Sequence, residues 1–102
     1  MAIDVKEKNN LITIQLNGSF DVSQYERFKS ICEGYKTPEY KFENDFKNTV
    51  YMDSFALGML LLLREQTKGD KEKGQLINVS GTGLRIIEMA QFYQVFKLEK
   101  ID

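Results

Sequence analysis

The chain has no histidine and no tryptophan, and only one cysteine and one proline among its 102 residues. Without an imidazole, Ser-His-Asp and Cys-His catalytic arrangements are excluded, and with them the zinc sites built on Cys and His. Cys32 has no second thiol with which to close an intramolecular disulfide, and on an apolar helix stripe it reads as a small buried hydrophobe. Neither sign of charge dominates: 14 Lys and Arg stand against 15 Asp and Glu, for a net charge of -1. With no basic run either, nothing in the electrostatics calls for a nucleic acid or an anionic membrane as partner. The longest apolar run, Phe55 to Leu63 with Gly58 inside it, has nine residues, whereas a membrane-spanning helix needs about 20. The opening MAIDVKEKNN is charged within four residues and holds no apolar signal core, so the expectation is a cytoplasmic protein without membrane insertion.

What is present reads as one globular domain over residues 1–102, with 42% hydrophobic and 28% charged residues. Ile12, Ile14 and Leu16 alternate with Thr13 and Gln15, the period-2 pattern of a strand with one buried face. Ile3 and Val5 give a shorter version, and Glu7 to Asn10 has turn composition, so the chain opens with a hairpin. From Ser23 to Tyr35 the period changes: Tyr25, Phe28, Cys32 and Tyr35 mark one face of an amphipathic helix. Ser23 with Glu26 has capping-box spacing, Asp21 is a competing cap, and Gly34 and Pro38 end the segment. Tyr40 to Phe46 predicts an aromatic strand whose alternation slips near its end, and Val50 and Tyr51 lead into Asp53 and Ser54.

A second helix is predicted from about Phe55 to Lys68, apolar around nearly its whole circumference in the first two turns and hence expected to be buried on several sides. After the solvated turn Gly69 to Gly74, Leu76, Ile77 and Val79 form an interior strand. SGTG, Ser80 to Gly83, opens a third helix through Leu84, Ile87 and Ala90, and Phe96 and Leu98 close the domain as an edge strand. The order β-β-α-β-α-β-α-β implies an α/β fold: a mixed, largely parallel central sheet with helices packed against it.

In such a sheet, ligands and chemistry gather where strands end and helices begin. Asp21, Asp45 and Asp53 sit at such places, and each reads first as a helix cap or loop anchor. A receiver-like use of the three to hold Mg²⁺ is a competing reading, weakened by the hairpin start and by the lack of an acidic pair after the first strand. Gly81 to Gly83 lacks the third glycine and the Gly-Lys-Ser/Thr run of a phosphate-binding loop, so no nucleotide cofactor, and no cofactor of any kind, is expected. Ser54 stands where a helix N-terminus offers free amides and partial positive charge, worth about 0.3–1 kcal/mol to a nearby anion. A phosphoryl group there would be tolerated by the fold and could still abolish docking of a partner.

Three segments together carry a family resemblance. YMDSFALGMLLLLRE resembles the phosphoacceptor segment of STAS-domain proteins, the anti-sigma-factor antagonists, whose usual form is Asp-Ser-Ser/Thr-Gly-Leu-Gly at the start of a helix. LINVSGTGLRIIEMAQFYQVFKL is similar to the closing strand-helix-strand unit of that family, and LNGSFDVSQYERF to its Gly-Glu-Leu-Asp region. The resemblance implies a bacterial, non-enzymatic partner-switching regulator of transcription. Unphosphorylated, it would bind an anti-sigma factor; a serine kinase would phosphorylate Ser54, and a metal-dependent serine phosphatase, of the kind linked to response regulators, would restore it. Ser54 matches the phosphoacceptor, and Asp53, Asp21, Leu57 and Gly58 match positions of the partner-facing surface.

The chain departs from that pattern at Phe55, where the family usually has a second Ser or Thr, and at Ala56, where it usually has Gly. Gly18-Ser19-Phe20-Asp21 also lacks the acidic second position. Phe55 either hinders a kinase or supplies an apolar anchor to the partner. The alternative function that follows is a STAS interaction or scaffold subunit of a regulatory or transport complex, with no phosphorylation.

Overall fold

The computed structural model describes residues 3–35 and 40–101. In chain order the elements are β1 (Ile3–Lys8), β2 (Leu11–Leu16), β3 (Gly18–Phe20), α1 (Tyr25–Gly34), β4 (Lys41–Asp45), β5 (Thr49–Met52), α2 (Ser54–Thr67), β6 (Gly74–Val79), α3 (Gly81–Met89) and β7 (Lys97–Lys100). Short 3-10 turns at Val22–Gln24 and Phe92–Gln94 precede α1 and β7. The opening hairpin closes through Asn9 and Asn10, whose φ angles of 51° and 65° are both left-handed. A two-residue turn of that kind matches strand twist, and Asn tolerates the conformation. It pairs Lys8 with Leu11 and carries the register back to Ile3 opposite Leu16.

The main sheet has the order β1-β2-β4-β6-β7, with β1 antiparallel and every other pair parallel. Because the parallel strands step in one direction, right-handed crossovers put their helices on the same face. Burial agrees: Ile12, Ile14 and Leu16 of β2, Phe42 of β4 and Leu76 of β6 are buried with Phe28, Ile31 and Cys32 of α1 and Ala56, Met59, Leu60 and Leu63 of α2. Gly74 serves close approach here, since a Cβ on it would lie 2.8 Å from the Phe96 ring.

Several expectations need correction. Two strands were not foreseen: β3 and β5 are too short to show a period, and they pair in parallel as a separate two-stranded sheet. The capping box is not used. Asp21 accepts from the Ser23 amide and caps the 3-10 turn, and α1 starts at Tyr25 without a side-chain cap. On α1 the inner face carries Phe28, Ile31 and Cys32 with Tyr35 packed against the core, while Tyr25, the first residue of the helix, is exposed. The first two turns of α2 are not buried on several sides: Phe55 and Gly58 are exposed and Leu57 only half-buried, since the helices cover one face of the sheet and, among the described residues, no further layer lies over them. Pro38 lies outside the described residues.

The slip in the β4 pattern is Asn44, which points inward between Phe42 and Phe46, fully buried, with no hydrogen-bond partner among the described residues for either end of its amide. An unpaired buried polar group costs about 1–3 kcal/mol. Asn44→Val is therefore expected to raise unfolding free energy by about 1–2 kcal/mol in urea melts; a loss of stability would mean that the amide is bonded after all. Burial, with the Glu33 charge adding to it, pushes the Cys32 thiol up to about 12. Native protein at pH 8 should therefore resist a thiol reagent that labels the urea-unfolded chain completely.

Candidate phosphoacceptor and docking site

The site begins with the pairing of β3 and β5. Gly18, at φ 80°, turns the chain out of β2, and its amide donates to the Asn48 carbonyl at 3.0 Å. The Thr49 hydroxyl donates back to the Leu16 carbonyl, which fastens the start of β5 to the end of β2. The ladder then sets Phe20 opposite Met52. Both side chains turn inward. Phe20 packs against Phe28 and Phe46 at centroid distances of 5.4 and 6.1 Å, and Met52 sits so close to Gly83 that a Cβ there would collide with its Cε.

Since the strands are parallel and in register at Phe20 and Met52, the next residues, Asp21 and Asp53, leave the small sheet side by side. Each then caps the helical segment that follows. The Asp21 carboxylate accepts from the Ser23 hydroxyl and amide, and these bonds, the hydroxyl's first, favour the ionised form and hold its pKa below the usual carboxylate range. The Asp53 carboxylate accepts from the Phe55 amide at 2.9 Å, the bond that defines an N-cap. Ser54 is therefore the first residue of α2, exposed at an N-terminus beside a second capped turn.

The segments that lead into the two caps and start α2 expose large apolar side chains. Phe55 and Val22 are each 61% exposed, Tyr51 is 53% exposed and Val50 82%. Gly58 is exposed one turn beyond Ser54, with open space where a side chain would stand, and Leu57 is half-buried beside it. Sequence reasoning missed Val22, Val50 and Tyr51. The repeat of a short apolar segment ending in Asp, GSFD and VYMD, was the available signal for two parallel strands closing on paired caps.

The other acid, Asp45, lies apart in role. Its carboxylate accepts from the Lys47 amide at 2.9 Å and from the Asn78 side chain at 2.8 Å, bracing the β4 exit. Among the described residues no group of three or more acidic or cysteine side chains is placed to hold a metal ion, so Asp21, Asp45 and Asp53 are not brought together as a Mg²⁺ site. No helix among them is long and apolar enough to cross a membrane.

The model of the STAS domain family matches residues 2–101. The chain belongs to the STAS domain family. A STAS-domain containing protein of Pseudomonas aeruginosa (strain UCBPP-PA14) is 36% identical to it over 87 residues, 85% of this chain and 86% of that protein. Among solved structures, an anti-sigma factor antagonist from Mycobacterium paratuberculosis superposes with a TM-score of 0.77 at 16% identity, covering 95% of this chain and 83% of that one. The anti-sigma factor antagonist SpoIIAA in its unphosphorylated form gives a TM-score of 0.69 at 20% identity, covering 99% and 88%. At such identities the likeness of this STAS domain to the antagonists is one of fold.

Cap and acceptor are separable by mutation. Asp53→Ala should cost about 1 kcal/mol in urea unfolding, and Asp53→Asn much less, because Asn also caps. Ser54→Ala, an exposed change outside the cap, should stay within about 0.5 kcal/mol of the parent. A Ser54→Ala loss as large as that of Asp53→Ala would make Ser54 structural.

Proposed function

We propose that this STAS domain is an anti-sigma-factor antagonist in a partner-switching pathway, acting in the cytoplasm without enzymatic activity of its own. The unphosphorylated form binds an anti-sigma factor or similar regulator through the surface of Asp21, Asp53, Phe55, Leu57 and Gly58. A serine kinase transfers phosphate to Ser54 and releases the partner, and a metal-dependent serine phosphatase reverses the step. The observation that carries this reading is the exposure of Ser54 at the first position of α2, directly before the exposed Phe55 and after a β5 strand whose Val50 and Tyr51 are also exposed. A phosphoryl group adds about -1.5 to -2 charges. Placed among Phe55, Tyr51 and Val22 and beside Asp21 and Asp53, that charge would have to be desolvated when a partner covers the patch, so docking is lost while the fold stands.

The exposed Phe55 also favours a second reading: a constitutive interaction or scaffold subunit of a regulatory or transport complex, in which an aromatic anchor replaces regulatory chemistry.

Gly58 gives the test of the surface. A glycine inside a helix costs about 0.5–1 kcal/mol relative to alanine, and at Gly58 no neighbour within the chain requires it. Gly58→Ala should therefore stabilise the isolated domain while weakening capture of its regulator at least tenfold, and Ser54→Ala should keep the complex intact in the presence of kinase and ATP. Unchanged capture by Gly58→Ala would remove that face of α2 from the interface. Dissociation of the Ser54→Ala complex on adding kinase and ATP would remove Ser54 as the switch.

A further inference from the structure

Asparagine followed by glycine is a reactive pair, because glycine carries no Cβ to shield its amide nitrogen from the side-chain carbonyl before it. The chain holds one such pair, Asn17-Gly18; its other asparagines, Asn9, Asn10, Asn44, Asn48 and Asn78, all precede bulkier residues. The pair sits where β2 passes into β3, at the root of the small sheet that sets Asp21 beside Asp53.

In the folded chain both reacting groups are tied to other partners. The Asn17 side chain donates from Nδ2 to the Asp4 carboxylate at 3.0 Å, and its Oδ1 accepts from the Asn48 side-chain amide at 3.3 Å. The Gly18 N–H donates to the Asn48 carbonyl at 3.0 Å. Asn48 therefore holds both groups, one through its side chain and one through its main chain. For the two to meet, Gly18 must release Asn48, and the Asn17 carboxamide must turn from Asp4 and Asn48 to its own main chain. That movement lifts the start of β3 away from β5, and a ladder of three residues belongs to the part of a fold that opens most readily.

We propose that Asn17 is a site of spontaneous modification, guarded by Asn48 and deamidated through the Gly18 amide when β3 lifts from β5. The Gly18 nitrogen gives its proton to solvent base and bonds to Asn17 Cγ. The bond from Cγ to Nδ2 breaks, and ammonia leaves with a proton taken from water. Water then opens the cyclic imide at either carbonyl, to aspartate or isoaspartate. One water enters and one ammonia leaves, with no change of oxidation state. Either product harms the small sheet. Aspartate sets a carboxylate where the Asp4 carboxylate has lost its donor, and like charges repel there. Isoaspartate adds a methylene to the main chain just before Gly18 pairs with Thr49. A reversible opening thus becomes a permanent loosening of the end that displays Ser54.

The test follows every asparagine by peptide fragmentation while the full chain is held in mildly alkaline buffer, either folded or unfolded in guanidinium chloride. Asn17 should convert fastest of all in the unfolded chain, and slower in the folded chain by about tenfold or more. Asn48→Ala removes the side-chain bond to Asn17 and keeps the Asn17-Gly18 pair; it should raise the folded rate severalfold and leave the unfolded rate unchanged. Asn17→Asp, which makes one product directly, should lower the midpoint of urea unfolding, and adding Asp4→Asn should recover most of that loss. Equal Asn17 rates in folded and unfolded chain, a faster asparagine elsewhere in the unfolded chain, an unchanged folded rate in Asn48→Ala, or a parental midpoint for Asn17→Asp would each overturn the proposal. None of these outcomes bears on whether Ser54 accepts phosphate.

Discussion

The parallel pairing of β3 with β5 is the contact on which the functional end of the molecule depends. It is small, three residues against four, and it is held at one end by Gly18 and Thr49 reaching across to Asn48 and Leu16. At the other end Phe20 and Met52 turn into the core together, which forces Asp21 and Asp53 to emerge as neighbours. Two helical segments therefore start side by side, each with its first free amide satisfied by its own carboxylate. Exposure of Ser54 is a consequence of that geometry, since an N-cap at Asp53 leaves the next residue on the outer rim.

The same one-sided architecture explains why apolar residues are left in solvent. All three helices cover one face of the main sheet, so α2 has a buried stripe of Ala56, Met59, Leu60, Leu63 and Thr67 and a free outer face. Phe55 on that outer face, with Val50 and Tyr51 on β5, contributes nothing to the domain's own core. Hydrophobic surface kept at a site where the chain also exposes a modifiable hydroxyl fits docking better than stability.

How much was legible in the sequence depended on whether an element had room to display a period. Ile12, Ile14 and Leu16 announced β2, the asparagine turn announced the hairpin, and the three helices and the largely parallel sheet followed from periodicity and crossover rules. β3 and β5 have three and four residues, too few for alternation to register, so the pairing that builds the site was invisible to pattern reading. Asp21 and Asp53 were nonetheless legible as caps, because capping chemistry is local and leaves its mark in single residues. The misreading of α2 as buried all round came from treating apolar composition as burial; composition says what a surface would gain by being covered, not that the chain covers it.

The central claim is that the exposed start of α2 is a switch. It is tested most directly by the intact mass of the protein isolated from its native cells in growing and in stressed cultures, with fragmentation to place any added group. The account predicts a phosphoryl group on Ser54 in a fraction of molecules that changes with condition. A chain that carries no phosphate in any condition, or carries it elsewhere, would contradict it and leave the apolar patch around Phe55 as a constitutive docking surface.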